Sequence, residues 1–312
     1  MKFIKSIPMA TGGIALALAA LGNLLLPLEH GQTIRYVMGV LSFIVLVIFA
    51  LKLFGDRRHV KEELKTPVPL SVLPTATMAI MLLSTYIRPY VGNLAVGIWY
   101  AAIAVHVCIM AVFIKRFVVG FQIGTVFPSW FIAGVGIVTA SVTAPAMGAV
   151  IVGQIAFWVG FVLYFAILPL VVLRMNKVRV FPEPARKTVA IFTAPMSLLI
   201  VGYFSSFVSQ GQVNPTLIYI MLAIAAVSYL YVSYMMVSSL LKIKFYPTYA
   251  AFTFPYVISA IAFRLGANFL SARHGLDFLL PIADITMWIA VVVVAFVLQH
   301  YVRYFRLWLR YC

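Results

Sequence analysis

The chain has 312 residues, of which 64% are hydrophobic and only 10% are charged, and its mean hydropathy is +1.08. Because soluble globular domains carry about 25% charged residues, this composition excludes an ordinary soluble protein and indicates a multi-pass membrane protein. The net charge of +16 does not indicate nucleic-acid binding, because the basic residues lie in the connections between apolar runs and not on one soluble face. We expect a single transmembrane domain over residues 1–312.

Ten apolar runs are long enough to cross a bilayer, which needs about 20 residues per helix. The fifth run is the least apolar, because threonine, serine and glycine residues dilute its hydrophobicity. The ten runs predict helices at about 8–26, 34–54, 69–87, 93–114, 119–141, 148–173, 188–208, 215–241, 248–270 and 278–302.

The basic residues predict the orientation of these helices. Nineteen of the 23 lie in the termini and in the connections on one side, and the other side has only Arg35, Arg88, Arg264 and Arg273. Since basic residues concentrate on the cytoplasmic side, we expect both termini to be cytoplasmic and the protein to lie in the inner (cytoplasmic) membrane. The connections on the opposite side are short, which predicts five helical hairpins with their turns outside.

Prolines distinguish the first helix of each hairpin from the second. They occur at Pro8, Pro74, Pro128, Pro195 and Pro255. Proline removes a backbone donor and kinks a helix, and freed backbone groups must face protein or water. The pattern therefore places the five odd helices inside and the five even helices outside, and a ring of odd helices would enclose a channel. The alternative is that these prolines serve helix packing alone, since proline is common in membrane helices.

Hydroxyls and glycines gather near the same prolines, whereas no acidic residue occurs in the odd helices. An apolar and hydroxyl-bearing wall with basic vestibules suits weakly selective passage of anions. A proton-coupled carrier would usually have a buried carboxylate or histidine on the path. The predicted pore-lining residues are Thr11, Gly12, Thr75, Ser129, Thr193, Ser197, Thr253 and Ser259.

Three ionisable residues inside the apolar runs have competing interpretations. Asp284 and His106 lie on even helices, where Asp284 would bond to a neighbouring helix or a partner subunit and His106 would be a satisfied bundle histidine. Arg264, near the outer end of the ninth helix, either snorkels to the interface or attracts anions. The sequence has no phosphate-binding loop, paired carboxylates or His/Cys cluster. We therefore expect no enzyme activity, metal or cofactor.

Four short motifs carry a resemblance to a known family. They are "PMATGG" (8–13), "FPSWF" (127–131), "TAP" (193–195) and "FTFP" (252–255). In this order, within ten helices, they resemble the tellurite-resistance/dicarboxylate transporter family along essentially the whole chain. That family includes bacterial TehA proteins, fungal malate and sulfite permeases, and the slow-type anion channels of plant guard cells.

The resemblance implies five hairpins in pseudo-fivefold order around a central pore, and a homotrimer with one pore in each subunit. It implies a channel for small anions such as chloride and nitrate, closed at rest by a phenylalanine on the ninth helix. Phe254 is the best match by position, with Phe252 or Phe263 as the inward-facing alternative. The family also contains carriers, so the alternative function is proton-coupled or facilitated transport of dicarboxylate, sulfite or tellurite-related anions.

Overall fold

The computed structural model of the chain describes residues 7–177, 182–238 and 245–311, and all regular structure in these ranges is helical. Nine of the described helices are long and apolar enough to cross a membrane, and one further apolar helix is shorter. This agrees with the all-helical prediction. The ten helices are α1 Thr11–Leu24, α2 Gly31–Gly55, α3 Pro67–Val91, α4 Asn93–Val118, α5 Trp130–Met147, α6 Val150–Lys177, α7 Lys187–Gln210, α8 Pro215–Ser238, α9 Pro247–His274 and α10 Leu279–Arg306.

Helix α5 differs most from its predicted bounds. The sequence predicts a start near residue 119, whereas the helix begins at Trp130. The intervening segment contains only the 3₁₀ turn Ile123–Thr125, because Gly120, Gly124 and Pro128 disfavour a continuous helix. The predicted start of α5 is therefore wrong. The predicted end of α8, at 239–241, lies outside the described residues.

The five prolines lie where α-helical segments begin, and not within continuous α-helices. In α7 and α9, the 3₁₀ segments Lys187–Thr193 and Pro247–Phe252 change to α-helix beside Pro195 and Pro255. Proline is tolerated there because the first backbone N–H groups of a helix have no intrahelical partner. The predicted kinks are thus starts of α-helical segments. Helix α3 consists of two such segments, Pro67–Val72 and Pro74–Val91, and Pro74 is the first residue of the second. Pro8 and Pro128 precede the helices that begin at Thr11 and Trp130.

Glycines in the left-handed region form four of the turns between an odd helix and the next even helix. Gly92, Gly148, Gly211 and Gly275 have φ of 57°, 69°, 77° and 66°. A side chain would be strained at such φ values, whereas glycine adopts them readily. Each of these turns is tight, so the two helices that it joins pack side by side.

The odd helices are in contact with one another in a closed order. Helix α1 packs against α3, α3 against α5, α5 against α7, α7 against α9, and α9 against α1. Each odd helix also packs on the even helix that follows it. Over the most apolar 18 residues, 61–78% are buried in α3, α5, α7 and α9, against 22–33% in the even helices. The described odd helices are therefore the more buried set.

Candidate functional site

A cavity of about 250 Å³ lies among the odd helices. All five contribute to its wall, with Gly13 from α1, Thr75 from α3, Val135 from α5, Leu198 from α7 and Phe254 from α9. The lining also includes residues from the first turns of α3, α7 and α9. Because the odd helices all begin on the same side, the cavity lies toward that end of the ring.

The cavity wall is mostly apolar. Its polar side chains come from Thr75, Thr188, Thr248 and Glu63, and none of the described residues that line it is lysine or arginine. An apolar constriction opposes the passage of ions because it dewets.

Of the three candidate phenylalanines, Phe254 is the one on the cavity wall, where it is 7% exposed. Phe252 lies against Tyr249, with ring centroids 5.7 Å apart. Phe263 packs edge-on against Tyr229 of α8, at 5.3 Å. The contacts of Phe252 and Phe263 thus leave Phe254 as the candidate for an occluding ring.

A second aromatic ring on the wall was not assigned from the sequence. Phe131 of α5 lines the cavity, stacks on Tyr164 at 5.6 Å, and meets Phe192 edge-on at 5.7 Å. Phe131 is the last residue of the "FPSWF" motif, and this motif was the sequence signal that could have pointed to it. Contacts with α6 and α7 hold this ring, which makes it a fixed part of the wall.

Several of the predicted pore-lining hydroxyls bond to a neighbouring helix or to a carbonyl of their own helix. Ser197 of α7 and Ser259 of α9 are 3.0 Å apart, and Ser259 also donates to the Thr193 carbonyl at 3.1 Å. Thr253 donates to the Ala250 carbonyl at 2.7 Å. Ser197 and Ser259 thus join α7 to α9, Thr253 bonds within α9, and none of the three lines this cavity.

Gly12, Ser129 and Thr75 of the predicted set lie where α1 and the start of α5 contact α3. Ser129 accepts a hydrogen bond from Ser71 at 2.7 Å, and a Cβ added at Gly12 would lie 2.7 Å from the Thr75 hydroxyl. Among the predicted residues, those on the cavity wall are Pro8, Thr75, Pro195, Phe254 and Pro255, whereas Pro74 and Pro128 are not.

Two buried threonines have hydroxyls without a hydrogen-bond partner among the described residues. They are Thr11 on α1 and Thr139 on α5, and both are at most 3% exposed. Thr139 lies four residues after Val135, which lines the cavity. Thr139 therefore lies on the same face of α5 as Val135, one helical turn further along α5.

The intramembrane ionisable residues have partners within the chain. His106 is fully buried and its Nδ1 lies 2.9 Å from the Thr77 hydroxyl, whereas its Nε2 has no hydrogen-bond partner among the described residues. The expectation of a fully satisfied bundle histidine therefore holds for one of its two ring nitrogens. Asp284 of α10 forms an ion pair with Arg264 of α9. This contact favours the neighbouring-helix interpretation of Asp284.

Three basic residues are buried near the starts of α1, α5 and α9. Lys52, Arg174 and Lys187 are at most 2% exposed. The Lys187 ammonium lies 3.7 Å from the ring centroid of Tyr249, and the Arg174 guanidinium lies 5.5 Å from that of Phe127. Cations over aromatic faces are stabilised by the ring quadrupole, so these charges are held near the cavity end of the ring.

An acidic residue also reaches the cavity, from outside the odd helices. Glu63 ends the short helix Arg57–Glu63 between α2 and α3, and this helix begins with Asp56 accepting a hydrogen bond from the His59 N–H at 3.3 Å. Glu63 lines the cavity and pairs with Lys52. The sequence gives no signal for this contact, because Glu63 lies in a connection between two apolar runs.

The comparison with protein families bears directly on this arrangement. Residues 4–302 match the family model of the voltage-dependent anion channels (SLAC1). The chain belongs to this family. The match covers nearly all of the 312 residues and confirms the resemblance found in the short motifs. No curated protein matches the sequence.

Membership identifies the protein as a membrane anion channel of the SLAC1/TehA family, which is a family of channels and transporters and not of enzymes. The multi-pass prediction is confirmed, and anions are the implied substrates. The cavity among the odd helices is thus the candidate for the anion path.

Proposed function

We propose that this channel passes small monovalent anions, such as chloride and nitrate, through a pore enclosed by the five odd helices of each subunit. The observation that carries the proposal is the cavity to which all five odd helices contribute. The closed order of contacts from α1 through α9 and back to α1 supports a pseudo-fivefold arrangement of five hairpins.

The gate is the ring of Phe254. It lines the cavity and is almost fully buried, and it follows directly on the change from 3₁₀ to α-helix in α9. A ring in an apolar constriction blocks ions by steric exclusion and by dewetting. The channel is therefore closed at rest, while the ring lies in the path. Rotation of the side chain away from the axis would open it.

The setting of the channel follows from charge and from the family. The excess of basic residues on one side supports cytoplasmic termini in the inner membrane. The even helices expose large apolar side chains such as Phe43, Ile151 and Val227, which suits contact with lipid or with neighbouring subunits. A homotrimer with three pores is the assembly that the family resemblance implies.

Anion current through membranes containing the purified protein tests the proposal. We expect Phe254→Ala to raise chloride and nitrate conductance by about tenfold or more, since dewetted constrictions impose large barriers. Phe263→Ala is the matched control, because its ring packs against Tyr229 of α8. An unchanged current in Phe254→Ala, or an equal rise in both variants, would contradict the gate.

A carrier is the second candidate function, and the presence of Glu63 on the cavity favours it. A titratable carboxylate on the path is typical of proton-coupled transport. In vesicles, a carrier would take up dicarboxylate or sulfite in proportion to an imposed pH gradient. Neither the native protein nor Phe254→Ala would then carry a current. A channel would carry chloride down the chloride gradient without an imposed pH gradient.

A further inference from the structure

Glu63 is unusual among the acidic residues of this anion channel. All seven acidic residues of the chain lie in the described ranges, and Glu63 is the one that lines the cavity. A negative charge in an anion path repels the permeating ion. Its position therefore needs a physical explanation.

The carboxylate of Glu63 is bound by a buried ammonium. Its two oxygens lie 2.9 Å and 2.8 Å from Nζ of Lys52, which is 1% exposed. The imidazole Nε2 of His59 lies 3.2 Å from the same carboxylate. The glutamate side chain is 26% exposed, so it lies between the buried lysine and the cavity.

We infer that Lys52 forms an anion-binding site at the mouth of the cavity and that the Glu63 carboxylate occupies this site as a tethered anion. The inference rests on the proposed anion path. Chloride and nitrate are attracted by the same ammonium that binds the carboxylate. While Glu63 is in place, it neutralises Lys52 and keeps mobile anions away from that position.

A bracing role alone would predict different behaviour. Lys52 also donates to the carbonyl of Ile7, next to Pro8 on the cavity wall, so the pair fixes the segment that precedes α1. If bracing were its whole function, removal of the carboxylate would reduce stability and would leave the response to chloride unchanged.

Conductance in the Phe254→Ala background gives the first test. We expect Glu63→Gln to raise chloride conductance about threefold or more at low salt, because a focused positive charge raises the local anion concentration. The gain should shrink as salt screens the charge. Glu62→Gln is the matched control, because it changes the net charge equally while Glu62 pairs with Lys65 and does not line the cavity.

Thermal unfolding of the purified protein gives a readout that does not depend on conduction. With chloride compared with gluconate at equal ionic strength, we expect chloride to raise the Tm of Glu63→Gln by about 2 °C or more over its effect on the native chain. Glu62→Gln should behave as the native chain does. Adding Lys52→Met to Glu63→Gln should abolish the chloride response.

The outcomes separate the inference from the proposed function. If Phe254→Ala carries no current, the proposed gate fails, while the thermal comparison still decides whether Lys52 binds anions. If Glu63→Gln matches Glu62→Gln in its chloride response, the Lys52 site is refuted even when Phe254→Ala conducts. Glu63→Ala, which also vacates the space of the carboxylate, replaces Glu63→Gln if the latter does not fold.

Discussion

Helices α5 and α6 are neighbours in the chain and differ in what they bury. Over their most apolar stretches, 78% of residues are buried in α5 and 33% in α6. Helix α5 is the less apolar of the two, with serine, threonine and glycine on several faces, whereas α6 is dominated by large apolar side chains. Hydropathy alone would therefore assign the wrong helix to the interior. In a membrane, the residues that need protein contacts are the polar and backbone-disturbing ones.

The largest effect is expected where the two helices touch. A Cβ added at Gly160 of α6 would lie 2.1 Å from a methyl group of Val138 on α5. Since Val138 is fully buried and its side chain is branched at Cβ, it has little room to move. We expect Gly160→Ala to lower the free energy of unfolding by about 1–3 kcal/mol, measured by thermal unfolding in detergent.

Gly97 of α4 is the control for this substitution. A Cβ there would have no atom within 4 Å, so Gly97→Ala should be neutral or stabilising by up to about 1 kcal/mol through helix propensity. Equal losses in the two variants would contradict the assignment of a packed face and a free face to the even helices.

A smaller effect is expected for the ion pair between α9 and α10. Arg264 and Asp284 are 40% and 46% exposed, so their attraction is partly screened and should contribute about 1 kcal/mol or less. Asp284→Asn and Arg264→Gln should each destabilise the protein, and the double variant should lose less than the sum of the two. Strict additivity in such a double-mutant cycle would show that the pair contributes no coupling.

The smallest effect concerns single hydroxyls. Ser197 bonds to Ser259 on α9, whereas Ser228 of α8 donates only to the carbonyl of Ile224 in its own helix. Interhelical hydrogen bonds in membranes average about 0.6 kcal/mol, so we expect Ser197→Ala to lose about that amount and Ser228→Ala to be close to neutral. The same thermal measurement compares them, and a larger loss in Ser228→Ala would reverse the comparison.

The sequence predicts the helix order well because long apolar runs have few alternatives in a bilayer. The prolines at the starts of the odd helices also identify these helices as the more buried set. It does not predict which way a hydroxyl points, because serine and threonine bond to a carbonyl of their own helix as readily as they face a cavity. Ser197 and Ser259 illustrate this, since Ser197 donates to the Thr193 carbonyl and Ser259 to the Pro255 carbonyl, each four residues earlier in its own helix.

Two features of the candidate site could not be predicted from the sequence: which phenylalanine of α9 faces the cavity, and the contact of Glu63 with the cavity. A shift of one residue along α9 rotates a side chain by about 100°, so sequence alone leaves Phe252, Phe254 and Phe263 as alternatives. Glu63 reaches the cavity from the short helix Arg57–Glu63. No periodicity in the odd helices predicts a residue contributed from a connection.

Chemical access to the ring of odd helices tests the anion path most directly. In a Phe254→Ala channel with Cys108 and Cys312 replaced by serine, a cysteine is introduced either at Ala251, on the cavity wall, or at Val105, exposed on α4. A charged thiol reagent should block chloride current through Ala251→Cys and should leave Val105→Cys unaffected. Undiminished current after Ala251→Cys has been fully modified would place the anion path outside the odd helices and contradict the account.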